Sequence, residues 1–188
     1  MISLFQNKPE PYDLSNFTVL LVEDSQYMQS LTTEMLKIFG VGDVLRCSDA
    51  HEAIDLLTIT HARRSSRHID RVDIVLTDWL MPKGSGKELV SWIRNHEAPD
   101  VHFLPIIIVS GYTTEKLTHK TRDLGVNEIL VKPISGKLLA SRICSVIDQP
   151  RPFIKSVDYF GPDRRRQDIP LTGTDRRINS PRIVERDA

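Results

Sequence analysis

Five short apolar runs punctuate this chain, and each stops at a polar or charged residue. They are FTVLLVED (17–24), VGDVLRCS (41–48), VDIVLTDWLMP (72–82), LPIIIVSGY (104–112) and VNEILVKP (126–133). Each is strand-length and rich in β-branched residues, and together they predict five buried strands. Amphipathic segments separate them. SQYMQSLTTEMLKIFG (25–40) has Ser25 as N-cap, Gly40 as stop, and Met28, Leu31, Met35 and Ile38 on one helical face. DAHEAIDLLTIT (49–60) opens with Asp49 and Glu52 at capping-box spacing. SGKELVSWIRNHE (85–97), TTEKLTHKTRDLG (113–125, Leu117 and Leu124 inward) and SGKLLASRICSVID (135–148) predict three more helices. The last carries an inward stripe of Leu138, Leu139, Ile143, Val146 and Ile147. Strand and helix alternate five times, so the expected fold is α/β: a doubly wound five-stranded parallel sheet with helices on both faces.

In such sheets ligands bind at the carboxyl ends of the strands. Strand one ends in Glu23-Asp24, strand three in Asp78, strand four in Ser110-Gly111 and strand five in Lys132-Pro133. Three carboxylates, a hydroxyl and an ammonium are thus expected on one edge. Three adjacent carboxylates repel unless one is protonated or a cation neutralises them. A few carboxylates with water suit Mg²⁺. Asp can act as nucleophile in phosphoryl transfer, with Mg²⁺ and Lys132 spreading the charge and Ser110 donating to the transferred group. Any one of these residues alone is more often a helix cap or a turn; their joint order at four strand ends favours the chemistry.

Other signals fail. KGSGKE (83–88) lacks P-loop spacing, the six His show no metal-ligand spacing, and Ser110 lacks a G-x-S-x-G elbow. Trp79 and Trp92 read as packing anchors. Only Cys47 and Cys144 are present, far apart, which fits core residues in a reducing compartment. The N-terminal residues contain no cleavable apolar segment, and no run reaches membrane-span length, so a cytoplasmic protein is expected with no membrane insertion.

The set Glu23-Asp24, Asp78 in TDWLMP, Ser110 in VSGY and Lys132-Pro133 resembles the receiver domain of two-component response regulators, from about Asn16 to Asp148. It is similar to the stand-alone type found in chemotaxis. The resemblance implies a flavodoxin-like fold with strand order 2-1-3-4-5. Asp78 would be the phospho-acceptor. Glu23, Asp24, Asp78 and the Leu80 backbone carbonyl would be the Mg²⁺ ligands, and Ser110 and Lys132 would hold the phosphoryl group. The donor would be a histidine kinase or histidine phosphotransfer protein, and the output a protein–protein interaction. Such a chain is a phospho-acceptor that gains and loses its phosphoryl group, not a turnover enzyme. Ser110, Tyr112 and Ile129 would form the switch and output surface. Ile129 stands where the family usually has Tyr or Phe, and Ile134 where Phe is common, so aromatic switching is not expected in its usual form. Leu80 and Tyr112 would flank the path of attacking water, and Gly84 replaces an apolar residue.

The chain reads as a leader (1–15), a receiver (16–148) and a Pro/Arg-rich extended or disordered tail (149–188). Net charge is zero, yet after Pro150 nine Arg/Lys stand against six Asp/Glu, an excess of three. GPDRRR and GTDRRI repeat twelve positions apart. Phe160, Arg164, Arg165, Arg166, Arg176 and Arg177 read as a docking motif for an acidic surface. Phe153, Ile154, Tyr159 and Phe160 are its apolar anchors, available to the domain or to a partner. Other readings remain open: a solvated tail with no specific role, a transcriptional regulator that binds nucleic acid through the tail, which Asp163, Asp168 and Asp175 and the absent helix-turn-helix domain argue against, and a phosphate sink.

Overall fold

All five apolar runs form strands. The computed structural model describes residues 13–62, 71–111, 114–164 and 182–184. β1 (Thr18–Val22), β2 (Asp43–Cys47), β3 (Ile74–Asp78), β4 (Ile106–Ser110) and β5 (Glu128–Val131) build one parallel sheet in the order β2-β1-β3-β4-β5. The helices between them are α1 (Gln26–Ile38), α2 (Ala50–Ala62), α3 (Gly86–Asn95), the single turn α4 (Pro99–His102), α5 (Glu115–Asp123) and α6 (Gly136–Asp148). The sequence reading contains no α4; Pro99 starts it.

Alternation along each strand makes two cores. Leu20, Val22, Val75, Ile106 and Ile108 pack with Ala53, Leu57, Leu89 and Ile93 from α2 and α3. Val19, Leu21, Ile74, Leu76, Ile107 and Val109 pack with Leu36, Leu139, Ile143 and Val146 from α1 and α6. Ile106, Ile107 and Ile108 are completely buried, and each such side chain contributes about 1.5–3 kcal/mol of transfer free energy.

Some packing differs from the sequence pattern. Ile38 is exposed, and α1 buries Thr32 and Leu36 instead, because the helix presents a face one position round from the expected stripe. Leu138 is also exposed. Cys144 is only half-buried, whereas Cys47 lies in the core and burial pushes its thiol up to about 12. Leu14, assigned to the leader, is 2 % exposed and belongs to the α1–α6 core. Its carbonyl accepts from Phe17 and Gly42 N–H.

The largest difference follows Gln149, where the sequence predicts irregular chain. Among the described residues, β6 (Phe153–Lys155), β7 (Phe160–Pro162) and β8 (Arg182–Val184) form an antiparallel sheet in the order β7-β6-β8. The β6–β7 hairpin docks below the parallel sheet. Phe153 and Phe160 lie 4.9 and 5.3 Å from the Phe103 ring, and Phe160 lies 3.6 Å from His102. Tyr159 is buried, with its hydroxyl donating to the Pro162 carbonyl at 2.7 Å. Beneath them Arg94 is fully buried. It donates to Gly125 O (2.9 Å), His102 O (2.8 Å) and Asn127 Oδ1 (3.2 Å), with Phe153 over its guanidinium at 5.2 Å. Burial lowers its pKa to about 9, so it remains charged at neutral pH. Three acceptors and a ring offset the cost of burying that charge.

Burial under Phe160 depresses the His102 pKa below its ordinary 6.5. The positive charges of Arg94 and Lys155 and the nearby His96 act in the same direction, while donation of Nδ1–H to the His96 carbonyl opposes it. An undocked hairpin would let His102 take a proton more readily, so docking is fully favourable above pH 6.5 and weakens as pH falls below it. Hydrogen exchange at residues 153–162, corrected for intrinsic rates, should show less protection at pH 5.5 than at 7.5. Equal protection would rule this linkage out.

Candidate functional site

Parallel register brings the polar strand ends together. Val22 lies opposite Thr77, so the next residues, Glu23 and Asp78, are neighbours. Asp78 lies opposite Val109, and Ser110 opposite Val131, which sets Ser110 beside Asp78 and Lys132 just beyond. The Lys132 N–H donates to the Ser110 carbonyl at 2.8 Å, extending the ladder into the site. The Lys132–Pro133 peptide is cis. Helices α1, α3, α5 and α6 start at this same edge, capped by Ser25, Ser85, Thr114 and Ser135, whose hydroxyls accept from N–H groups of the first turn.

Carboxylate oxygens of Glu23, Asp24 and Asp78 lie within 4.8 Å of one another. Glu23 is buried and Asp24 exposed. Lys132 Nζ donates to Glu23 Oε2 and to Asp78 Oδ2, each at 2.6 Å. Burial disfavours the ammonium, but the hydrogen bonds and charges of Asp78 and Glu23 outweigh it, and the Lys132 pKa rises above its ordinary value. Lys132 is therefore a fixed positive charge at neutral pH. The second Asp78 oxygen, Oδ1, accepts from the Leu80 N–H at 3.1 Å, which seats Leu80 beside the cluster with its side chain exposed. Ser110 is buried. The donor set is all oxygen, compact and open on the Asp24 side, which fits a hard divalent cation that retains water.

Ile129 packs on the α2–α3 core and Ile134 on the opposite one, so both positions are filled by aliphatic packing. Trp79 and Trp92 also pack on the first core. Phe160 and Arg164 are in the docked hairpin. Tyr112, Arg165, Arg166, Arg176 and Arg177 lie outside the described residues, as does most of the 1–15 leader.

Three supporting residues were not read from the sequence. Gln29 Nε2 on α1 donates to Glu23 O (3.3 Å) and Cys47 O (3.0 Å), tying the ends of β1 and β2. The Thr77 hydroxyl donates to Asp78 O at 2.9 Å. Gly86 lies against Asp78, and a Cβ there would fall 2.3 Å from the Asp78 carbonyl oxygen. All three act on backbone atoms. The only local hint was the S-G pair before α3.

Lys132→Met leaves two facing carboxylates without their shared counter-charge. In Mg²⁺-free buffer it should destabilise the fold by about 3 kcal/mol, and added Mg²⁺ should recover part of the loss; urea unfolding with and without Mg²⁺ measures both. Gly86→Ala must push α3 off the Asp78 carbonyl, at about 1–3 kcal/mol. Its Mg²⁺ affinity, followed by tryptophan fluorescence, should fall as well.

A family model described as the response regulator receiver domain matches residues 19–144. A chemotaxis protein CheY homolog from Campylobacter jejuni is 32% identical over 131 residues, covering 69% of this chain and 91% of that protein. The transcriptional regulatory protein CpxR of Escherichia coli is 28% identical over 129 residues, which is 69% of this chain and 48% of CpxR. Among solved structures, a chain of the CheX-CheY-BeF3-Mg complex from Borrelia burgdorferi superposes with a TM-score of 0.60 at 24% identity, covering 70% of this chain and 89% of that one. Receiver domains of this family take part in two-component signalling and bind Mg²⁺ at an acidic pocket. Across two thirds of its length, with its polar strand ends gathered on one edge, this chain belongs to the response regulator receiver domain family.

Proposed function

We propose that this chain is a phospho-accepting response regulator that takes a phosphoryl group on Asp78 from a phosphohistidine. The observation that carries the reading is the convergence of Glu23, Asp24 and Asp78 within 4.8 Å, with Lys132 bonded to two of them. Glu23, Asp24, Asp78 and the Leu80 carbonyl would hold Mg²⁺, which supplies charge neutralisation for the incoming phosphoryl oxygens.

In the transfer, a carboxylate oxygen of Asp78 attacks phosphorus, the P–N bond of the donor breaks, and the imidazole nitrogen keeps the electron pair and takes a proton. Lys132 is already fixed at Asp78 Oδ2, so it neutralises developing charge with little reorganisation. Ser110, one register step from Asp78 on β4, donates its hydroxyl to a phosphoryl oxygen. Water attack on phosphorus later releases inorganic phosphate and regenerates the carboxylate. The exposed Leu80 side chain narrows the approach of that water. Output is a change in protein binding, and the donor is a histidine kinase or phosphotransfer protein.

Among the described residues no helix is long and apolar enough to cross a membrane. With Mg²⁺ and acetyl phosphate, intact-mass spectrometry should show one added phosphoryl group on the wild type and none on Asp78→Asn. Lys132→Ala should slow labelling by about 10²-fold. An unlabelled wild type, or an equally labelled Asp78→Asn, would overturn the reading.

A further inference from the structure

The hairpin is anchored on two different parts of the receiver. On one side Phe153 and Phe160 pack on Phe103 and His102, and Phe153 covers Arg94; these come from α3, α4 and the turn after them. On the other side the contacts fall on the end of α5 and the turn into β5. Arg164 pairs with Asp123, the last residue of α5, and lies 4.3 Å over the Tyr159 ring. Arg151 donates to the carbonyls of Asn127 and Asp163.

Gly125 and Gly161 meet backbone to backbone. A Cβ on Gly125, which has φ +86°, would lie 2.6 Å from the Phe160 carbonyl oxygen, and a Cβ on Gly161 would lie 2.5 Å from Gly125 Cα. That contact has no slack.

The opposite end of α5 leads to the phosphorylation site. The helix starts at Glu115, capped by Thr114, and Ser110 at the end of β4 lies five positions earlier. At about 1.5 Å per residue, nine residues of helix join the Ser110 loop to the hairpin contact. Any displacement of α5 that accompanies movement of Ser110 must either break the Gly125–Gly161 contact or drag the hairpin off Phe103 and Arg94. The observed arrangement, with Lys132 bonded to both Glu23 and Asp78, is the one in which both anchors are satisfied.

We infer that residues 151–164 are a latch that holds α5 in its unphosphorylated position, and that phosphorylation at Asp78 releases it. This rests on the phospho-acceptor reading above. Linkage makes the effect reciprocal: if occupation of the phosphoryl site loosens the latch, then loosening the latch raises affinity for that occupant, up to the same coupling factor.

The test uses the full chain and beryllofluoride with Mg²⁺ as a phosphoryl mimic. Saturating beryllofluoride should speed amide exchange at residues 153–162 at least fivefold, and Gly161→Val should bind beryllofluoride at least fivefold more tightly than wild type. Arg164→Ala removes the exposed ion pair to Asp123 and the stack on Tyr159, and keeps the hairpin sequence otherwise intact. It should shift affinity in the same direction by a smaller factor, which guards against a Gly161→Val chain that fails to fold. Unchanged hairpin exchange in saturated wild type, or no tightening in either variant, overturns the latch while leaving the acceptor chemistry standing. Failure of wild type to bind beryllofluoride at all overturns both.

Discussion

The Lys132 ammonium allows the carboxylates of this molecule to share one sheet edge. It bridges residues 109 and 54 positions away in the chain, each through a 2.6 Å hydrogen bond. Charge-assisted bonds of this kind are strong and directional, but they form only if β1, β3 and β5 end at the same height. That height is set far from the charges, by the two faces of apolar packing on either side of the sheet. Burial of isoleucine, valine and leucine therefore provides the precision with which one positive charge meets two negative ones, and the ion pairs fix the last fraction of an ångström.

This division explains why the site was legible in the sequence. Each candidate residue stands at the end of an apolar run, and a parallel sheet gathers the last residues of its strands on one edge. Glu23, Asp78, Ser110 and Lys132 could be placed together from strand endings alone, and the register bears that placement out. The five helices were legible because long periodic segments dominate them, while the strand order came from the family resemblance and is the one observed. Residues that work on backbone atoms left little trace. Gln29 is one polar residue among several on α1, and its grip on the Glu23 and Cys47 carbonyls depends on how far β2 runs. Ile38 shows the limit of helical periodicity: it continues the stripe on paper, but α1 turns Thr32 and Leu36 inward instead and leaves it exposed.

The segment after α6 was illegible for a different reason. Strands of three residues carry no measurable period, and proline and arginine give them the composition of a loose chain. Their order comes from long-range partners: an aromatic group on α4 and beyond, a glycine in the turn between α5 and β5, and Arg94. Arg94 sits at the end of a helix with polar neighbours, where an arginine ordinarily points to water. Its burial becomes intelligible only when Gly125, His102 and Asn127 are seen to supply acceptors and Phe153 a lid.

The Phe153–Phe160 cover also moves the boundary of the folding unit. The family pattern ends within α6, at residue 144. A chain trimmed there would retain every residue of the acidic edge. It would also bring the Phe103 ring and a desolvated guanidinium to the surface on the opposite side, creating a sticky patch that has nothing to do with signalling. The cover over Phe103 and Arg94 therefore comes from residues beyond the family pattern, and β8 in turn pairs with its outer edge. The shared family core and the surface that closes it are here two different lengths of the same chain.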